Sequence, residues 1–432
     1  MPASITLARA VAFALAVAPG VLCAAQLDYT VYADLEHSNN ITLSPNNPVS
    51  QNVLTPGIGF AYRQQGSVLQ ASVVGNLEYR DYLGGRFDNQ TRTQLAGQGN
   101  WTVLPQRLDF SVEDYAGVQP IDTLVSNGPN NLQQTNVLSL GPTLHLRFGN
   151  ALTAQAELRY IDSYASKVDE FDSSRGLAAF RVYRALGPTA QLSFNVEAQR
   201  VRFDNHADLD FDRTEAYLRY TSKLARFDAD VLLGWSRLDF SHAPDQSKPL
   251  ARLTLDWRPT LRSTFTLAGV YQYSDAAQDL MQPLDMAVSS ASGGAIGTGN
   301  AVINAQVYLD RRVEATYAFH DERLTLSVTP IYGKLHYLND RTLDQTSRGV
   351  GMGLAYRLRP TLTLSAFANG ERMDYSRLDR RDRTIRLGLD LSQQWTPHWS
   401  WHASVIRQRR NSNAAEQSYR ETEIFFGVAY RR

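Results

Sequence analysis

The chain has 432 residues, with 43 basic and 43 acidic side chains and a mean hydropathy of −0.33. This balance lacks the basic excess that marks a dedicated nucleic-acid binder. Beyond the first residues no apolar run approaches the roughly 18 to 20 residues that a helix needs to cross a bilayer, which excludes a helical membrane protein.

The chain opens with Arg9, the short apolar run AVAFALAVAPGVL and the small-residue sequence CAAQ. A positive start, an apolar core and a small-residue cleavage site together make a secretory signal peptide. Residues 1–25 are expected to be removed, leaving 26–432 as a single domain beginning at Gln26. The one cysteine, Cys23, lies in the removed part, so no disulfide and no cysteine metal site is expected. Leu22 stands where bacterial lipoprotein signals carry a small residue, which argues against lipidation.

Strict alternation then recurs in segment after segment. Leu69, Ala71, Val73, Leu77 and Tyr79 alternate with Gln70, Ser72, Asn76, Glu78 and Arg80. Leu152, Ala154, Ala156, Leu158 and Tyr160 alternate with Thr153, Gln155, Glu157 and Arg159, and the same holds around Phe194 and Leu387. A period of two means a strand with one apolar and one polar face. Tight connections such as RFGN, ALGP, RPTLR, HDER and TPHW take turns with longer polar ones such as GGRFDNQT, NHADLDFDR and LNDRTLD. The repeating unit is a hairpin of about 40 residues. It predicts an all-β, antiparallel up-and-down barrel of about 20 strands, with a range of 18 to 22.

A soluble β-sandwich would also alternate. Three features favour a membrane barrel. The strands, at about 11 to 15 residues, exceed the usual soluble length; short and long connections take turns; and aromatics gather at both strand ends. Trp257, Tyr356, Trp395, Trp399 and Trp401 lie beside tight turns, and Tyr79, Tyr160, Trp235, Tyr271 and Tyr375 lie toward long loops, as two interfacial belts would. In lipid every backbone group must be paired, which a closed sheet achieves. Its apolar face then meets acyl chains and its polar face a lumen too wide for side chains alone to fill.

The expected lumen residues are Gln70, Glu78, Arg80, Glu113, Glu157, Arg159, Glu197, Asp228, Asp230, Arg252, Asp256, Arg312, Glu314, Glu371, Arg386 and Asp390. Their mixed sign suits a hydrated path for neutral or weakly charged material better than an ion filter, and pairing across strands to stiffen the wall is an equal expectation. Tyr217, Tyr308 and Phe367 are inward aromatics, expected mainly to pack. The long Gly-, Ala- and Ser-rich stretch from Asp275 to Asn300 either folds inward and narrows the pore or stays an exposed loop. Asp208, Asp210 and Asp212 have a calcium-loop spacing, but Arg213 takes the glycine position and no glutamate closes the set, so no metal is expected. Loose contact with divalent cations at a lipopolysaccharide surface remains open for these aspartates. Alternation points Arg311 at lipid, which requires a bulge or an outward extension.

His402 and Ser404 have the spacing of the nucleophile pair of outer-membrane phospholipases. In that family the pair faces outward near the extracellular leaflet. Here both residues have lumen parity near a tight turn, and no carboxylate or asparagine partner is evident, so no enzyme and no cofactor are expected.

The segment EHSNNITLSPNNPVSQNVLTPGIGFAYRQQGS is more specific than the alternation. With Asn39, Asn40, Pro56 and Gly57 in place, and LEYRDYLGG following, it resembles the opening of the putative β-barrel porin 2 family over about the first hundred residues, with only generic likeness afterwards. Such barrels usually end in an aromatic residue, whereas this chain ends YRR after alternating Ile424, Phe426, Val428 and Tyr430. The resemblance implies an outer-membrane pore that passes exopolysaccharide beside a periplasmic export protein, with outer-membrane lipid and lipopolysaccharide as surroundings. A general diffusion porin for small solutes and a plugged structural or adhesive barrel are the alternatives. No nucleic acid is expected as a partner, and no Walker-type motif is present to power transport.

Overall fold

The computed structural model describes residues 25–149, 151–281 and 304–432. The first ten strands are β1 (Ala25–Ser38), β2 (Gln51–Gln65), β3 (Leu69–Tyr82), β4 (Gln90–Leu104), β5 (Leu108–Pro120), β6 (Leu132–Phe148), β7 (Leu152–Ala165), β8 (Ser173–Ala185), β9 (Ala190–Phe203) and β10 (Phe211–Lys223). The second ten are β11 (Phe227–Phe240), β12 (Gln246–Trp257), β13 (Ser263–Asp275), β14 (Val307–His320), β15 (Leu324–Tyr337), β16 (Gln345–Arg359), β17 (Leu362–Tyr375), β18 (Arg380–Gln394), β19 (Trp399–Ser412) and β20 (Tyr419–Arg431). Each pairs antiparallel with its sequence neighbours, and β1 also pairs with β20, so the 20-stranded sheet closes on itself without an edge. Strand lengths run from 12 residues in β12 to 17 in β6, long enough to cross a hydrocarbon layer at a tilt.

The expected leader, residues 1–25, lies outside the described residues except for Ala25, which opens β1 opposite Gln64. Alternation does what the sequence predicts. Val350, Met352 and Leu354 on β16, Leu387 and Leu389 on β18, and Ile424 and Phe426 on β20 are all exposed on the outside of the barrel. In water so large an apolar surface would be an aggregation liability, whereas in lipid it is a solvated face.

The paired asparagines Asn39 and Asn40 have a definite task at the point where the barrel closes. Asn39 exchanges two hydrogen bonds with Thr422 of β20, its amide donating to the Thr422 carbonyl and its side-chain oxygen accepting from the Thr422 amide. Asn40 is buried and donates from Nδ2 to the carbonyls of Ser44 and of Arg420, at 2.9 and 3.0 Å. The pair therefore fastens the first long connection to the last strand. Gly57 lies opposite Tyr32 with the phenol ring where a Cβ would be, which lets the Tyr32 hydroxyl reach Asn76 at 2.8 Å. Replacing Asn40 by Ala leaves two carbonyls without their donor, and we expect a loss of about 1–3 kcal/mol. The temperature at which the folded band converts to the unfolded one in a heat-modifiability gel should fall accordingly.

One part of the wall does not stay in the wall. β12 and β13 pair only through Ala251↔Tyr271, so Gln272 onward has left its neighbour while remaining paired with β14. Beyond that point the β13–β14 hairpin bends into the barrel, which is why Gln272, Tyr273, Ser274 and Asp275 are buried together regardless of parity.

Candidate functional site

All the expected lumen residues lie on the inner parity of their strands, opposite the exposed apolar set, as the register places them. Many are tied down. Arg80 binds Glu36 at 2.6 Å, Arg258 binds Asp228 at 2.9 Å, and Arg219 holds Asp230 through two nitrogens. Arg252 donates to Gln272, Asp256 accepts from the Thr266 hydroxyl at 2.6 Å, and Arg312 lies 3.4 Å from Asp310. A larger network joins Arg181 to Glu157 and Glu197, with Arg159 beside Glu157 at 3.4 Å and the Tyr217 hydroxyl donating to Glu197. Glu113 accepts from Tyr115 at 3.4 Å, and Arg386 lies over the Phe367 ring at 5.4 Å. Among the described residues no basic group lies within ion-pair distance of Glu314, Glu371 or Asp390. The inner wall is thus stiffened by fixed ion pairs, with a minority of free carboxylates.

The largest inward feature is the β13–β14 hairpin. After Asp275 the chain forms a single helical turn, α1 (Ala276–Leu280), whose amides at Ala277 and Gln278 are capped by the Asp275 carboxylate. Ala276, Ala277 and Leu280 pack on Val137, Ile161, Ala165 and Phe171, which belong to β6, β7 and the loop that follows. Tyr273, Ala305, Val307 and Leu309 pack on Val201, Phe203, Phe211 and Leu238, the inner face of β9 to β11 near its long-loop end. Arg175 of β8 binds Asp275 at 2.7 Å with both side chains almost completely buried, and Arg213 of β10 donates to Gln278 at 2.6 Å. Asp279 accepts from Ser274 at 2.7 Å and from Tyr308 at 2.5 Å. Burial pushes the Asp279 carboxyl above the usual carboxylate range, against the downward pull of those two hydroxyls and of Arg312.

Of the two expectations for the stretch that begins at Asp275, the inward one therefore holds for its described part. Residues 282–303, with Leu284 and Met286, lie outside the described residues. Opposite this hairpin the connection between β5 and β6 reaches across the mouth, where the Leu124 carbonyl accepts from Arg380 of β18 at 2.7 Å. The long-loop mouth is narrowed from two sides.

Several expectations need correction. Tyr375 is not in the outer belt: its parity is inward and it is buried beneath Arg380, whose guanidinium is 5.4 Å from the ring. Tyr79, Tyr160 and Trp235 are exposed outward as expected, as are Trp257, Tyr356, Trp395 and Trp399. Of the two alternatives for Arg311 the outward extension holds: the register through β13, β14 and β15 is unbroken there, and the side chain projects outward and lies 5.2 Å over Tyr271. Tyr308 is buried and packs on Tyr337, the packing role expected of it. His402 does have a carboxylate neighbour, Asp34 at 3.7 Å, brought close by barrel closure. That separation exceeds a hydrogen bond, and Ser404 makes no hydrogen bond to His402. Asp210 accepts from the Phe203 amide, and Asp212 pairs with Arg200 and Arg202, so these two aspartates serve the β9–β10 turn.

Residues 344–432 match the family model described as Putative beta-barrel porin 2. This is the family the N-terminal motif resembles, and the matching stretch is β16 to β20, where the sequence likeness looked only generic. No curated protein matches the chain. Among solved structures, the ferric enterobactin receptor PfeA in complex with BCV-L6 is similar at 10% identity, over 95% of this chain and 82% of that one, with a TM-score of 0.51. A mutant of that receptor from Pseudomonas aeruginosa in complex with enterobactin gives 10% identity, the same coverages of 95% and 82%, and a TM-score of 0.51. OccK2 (OpdF) of Pseudomonas aeruginosa is similar at 12% identity over 96% of this chain and 99% of that one, with a TM-score of 0.42. The likeness to the receptor is one of fold, a closed antiparallel β-barrel.

Proposed function

We propose that the barrel is a passive conduit in the outer membrane of a Gram-negative bacterium, reached by Sec-type export, and that it passes a secreted exopolysaccharide without catalysis. The observation that carries this reading is the inner wall, where acids and bases are neutralised in fixed pairs such as Arg181 with Glu157 and Glu197. A hydrated neutral or weakly charged chain slides over such a surface without a strong stopping point. Polymer would meet the β13–β14 hairpin at the long-loop mouth, so its arms must leave the lumen for passage. A periplasmic export protein engaging the tight-turn side is the natural source of polymer and of that displacement.

The same hairpin favours a second reading, a diffusion porin for small polar solutes whose constriction is permanent. Planar-bilayer recording on the purified barrel separates the two. The conduit reading expects little steady current from the barrel alone and a large increase once the hairpin is released. A wild-type barrel with steady open current and no partner supports the porin instead.

A further inference from the structure

We infer that the outer rim of β14 to β19 is a docking surface for the phosphate groups of an outer-leaflet glycolipid. On β15, β16, β17, β18 and β19 the fourth residue from the long-loop end is a cation: Lys334, Arg348, Arg372, Arg383 and Arg409. Arg311 continues the row on β14, one residue deeper. Arg311, Lys334, Arg348, Arg383 and Arg409 share parity with exposed apolar residues on their own strands, including Val313, Tyr332, Val350, Leu387 and Val405, and Arg372 pairs directly with Arg348 and Arg383, so all point away from the lumen. The row follows the rim, with an offset of two residues between Lys334 and Arg348 and between Arg383 and Arg409. Arg311 is directly opposite Lys334, Arg348 opposite Arg372, and Arg372 opposite Arg383.

Like charges placed directly opposite on neighbouring strands destabilise a sheet, so such a row needs a compensating anion. The protein supplies very little. Asp374 accepts from Arg372 and Arg381 at 3.1 and 2.8 Å. Among the described residues no carboxylate lies within ion-pair distance of Arg311, Lys334, Arg348, Arg383 or Arg409. The rim of β9 to β11 is built differently: outward Arg200, Arg202 and Arg237 are each paired, with Asp212, with Asp210 and Asp212, and with Asp239 and Asp245. At the long-loop rim the β14 to β19 cations are therefore unpaired where those of β9 and β11 are paired.

Height and chemistry identify the occupant. Arg311 and Arg348 lie over outward tyrosines, Tyr271 and Tyr332, at 5.2 and 5.8 Å, the aromatic setting of a membrane interface. Val350 and Ile385 follow two residues deeper on the same faces, about 7 Å lower along the strand. A lipid bearing phosphate immediately above its acyl chains meets both layers, and arginine forks suit phosphate oxygens. The inference rests on the outer-membrane placement and goes beyond the transport reading.

The test uses the full-length folded protein in nanodiscs of zwitterionic phosphatidylcholine, probed with bisphosphorylated lipid A, with its phosphate-free form and with phosphatidylglycerol. The wild type should retain the bisphosphorylated probe selectively in native mass spectrometry. The R348Q/R372Q/R383Q variant should lose affinity by roughly a hundredfold, about fivefold per cation removed. R348K/R372K/R383K should keep most of it, and R200Q/R202Q/R237Q on the paired side should bind like the wild type. Equal retention of the phosphate-free probe, wild-type binding by the glutamine variant, or equal preference for phosphatidylglycerol would each overturn the assignment. A wild-type barrel that inserts into none of these bilayers would instead contradict the membrane placement itself.

Discussion

Arg175→Ala is expected to open the long-loop mouth while leaving the barrel folded. The Arg175 guanidinium reaches across to Asp275, at the turn from β13 into α1, with side-chain exposures of 2% and 3%. Removing it strands a buried carboxylate, which costs roughly 3–5 kcal/mol in comparable settings. That cost falls on the docked position of the hairpin, because beyond Tyr271 the β13 arm is no longer held by β12. What remains is the Arg213 bond to Gln278 and the apolar contact of Ala276, Ala277 and Leu280 with β6 and β7 and of Tyr273 and Leu309 with β9 to β11. Swelling of liposomes containing the variant should accelerate several-fold with small sugars and extend to longer oligosaccharides. Removing both partners, Arg175→Ala with Asp275→Ala, should recover part of the lost stability, since no charge is then left buried alone. Unchanged swelling in the single variant, with the protein folded, would mean that the hairpin does not limit passage.

Leu389→Arg is the second large effect, and its neighbour is the control. Leu389 lies midway along β18, 59% exposed, between Ala366 of β17 and Val405 of β19. If this face meets acyl chains, a guanidinium there costs about 2–4 kcal/mol. Asp390→Arg, one residue on, turns into the lumen, where Asp390 has no ion-pair partner among the described residues, and it should cost under about 1 kcal/mol. Chemical unfolding in lipid vesicles compares the two directly. Similar costs at both positions would contradict the inside and outside assigned to every strand.

The wall was legible in the sequence because its physics is local. A period of two and the taking of turns between short and long connections are enough to place a side chain in or out, and Leu389 and Asp390 differ for that reason alone. The mouth was not legible, because its contacts join residues about a hundred positions apart, as Arg175 and Asp275 do. Gln272 to Ser274 read locally as three more residues of an alternating strand. One signal was available: Val201, Phe203, Phe211 and Leu238 are apolar at lumen parity near long loops, which a wet lumen does not explain and a docked hairpin does. Tyr375 was misplaced for a related reason, since an aromatic near a strand end reads as a belt residue until parity is fixed. The cationic row was present as residue types, but the strand ends had to be known before Lys334, Arg348, Arg372, Arg383 and Arg409 could be seen as the fourth residue from the long-loop end of each strand. Asp34 came to His402 only through the pairing of β1 with β20 and of β20 with β19, which no stretch of sequence displays.

The claim that the barrel passes secreted polymer is tested most directly in cells lacking it, by measuring polysaccharide in the medium and in the periplasm, with a plasmid copy as control. The account predicts that polymer disappears from the medium, accumulates in the periplasm and returns to the medium with the plasmid copy. Polymer output unchanged by the deletion would contradict it.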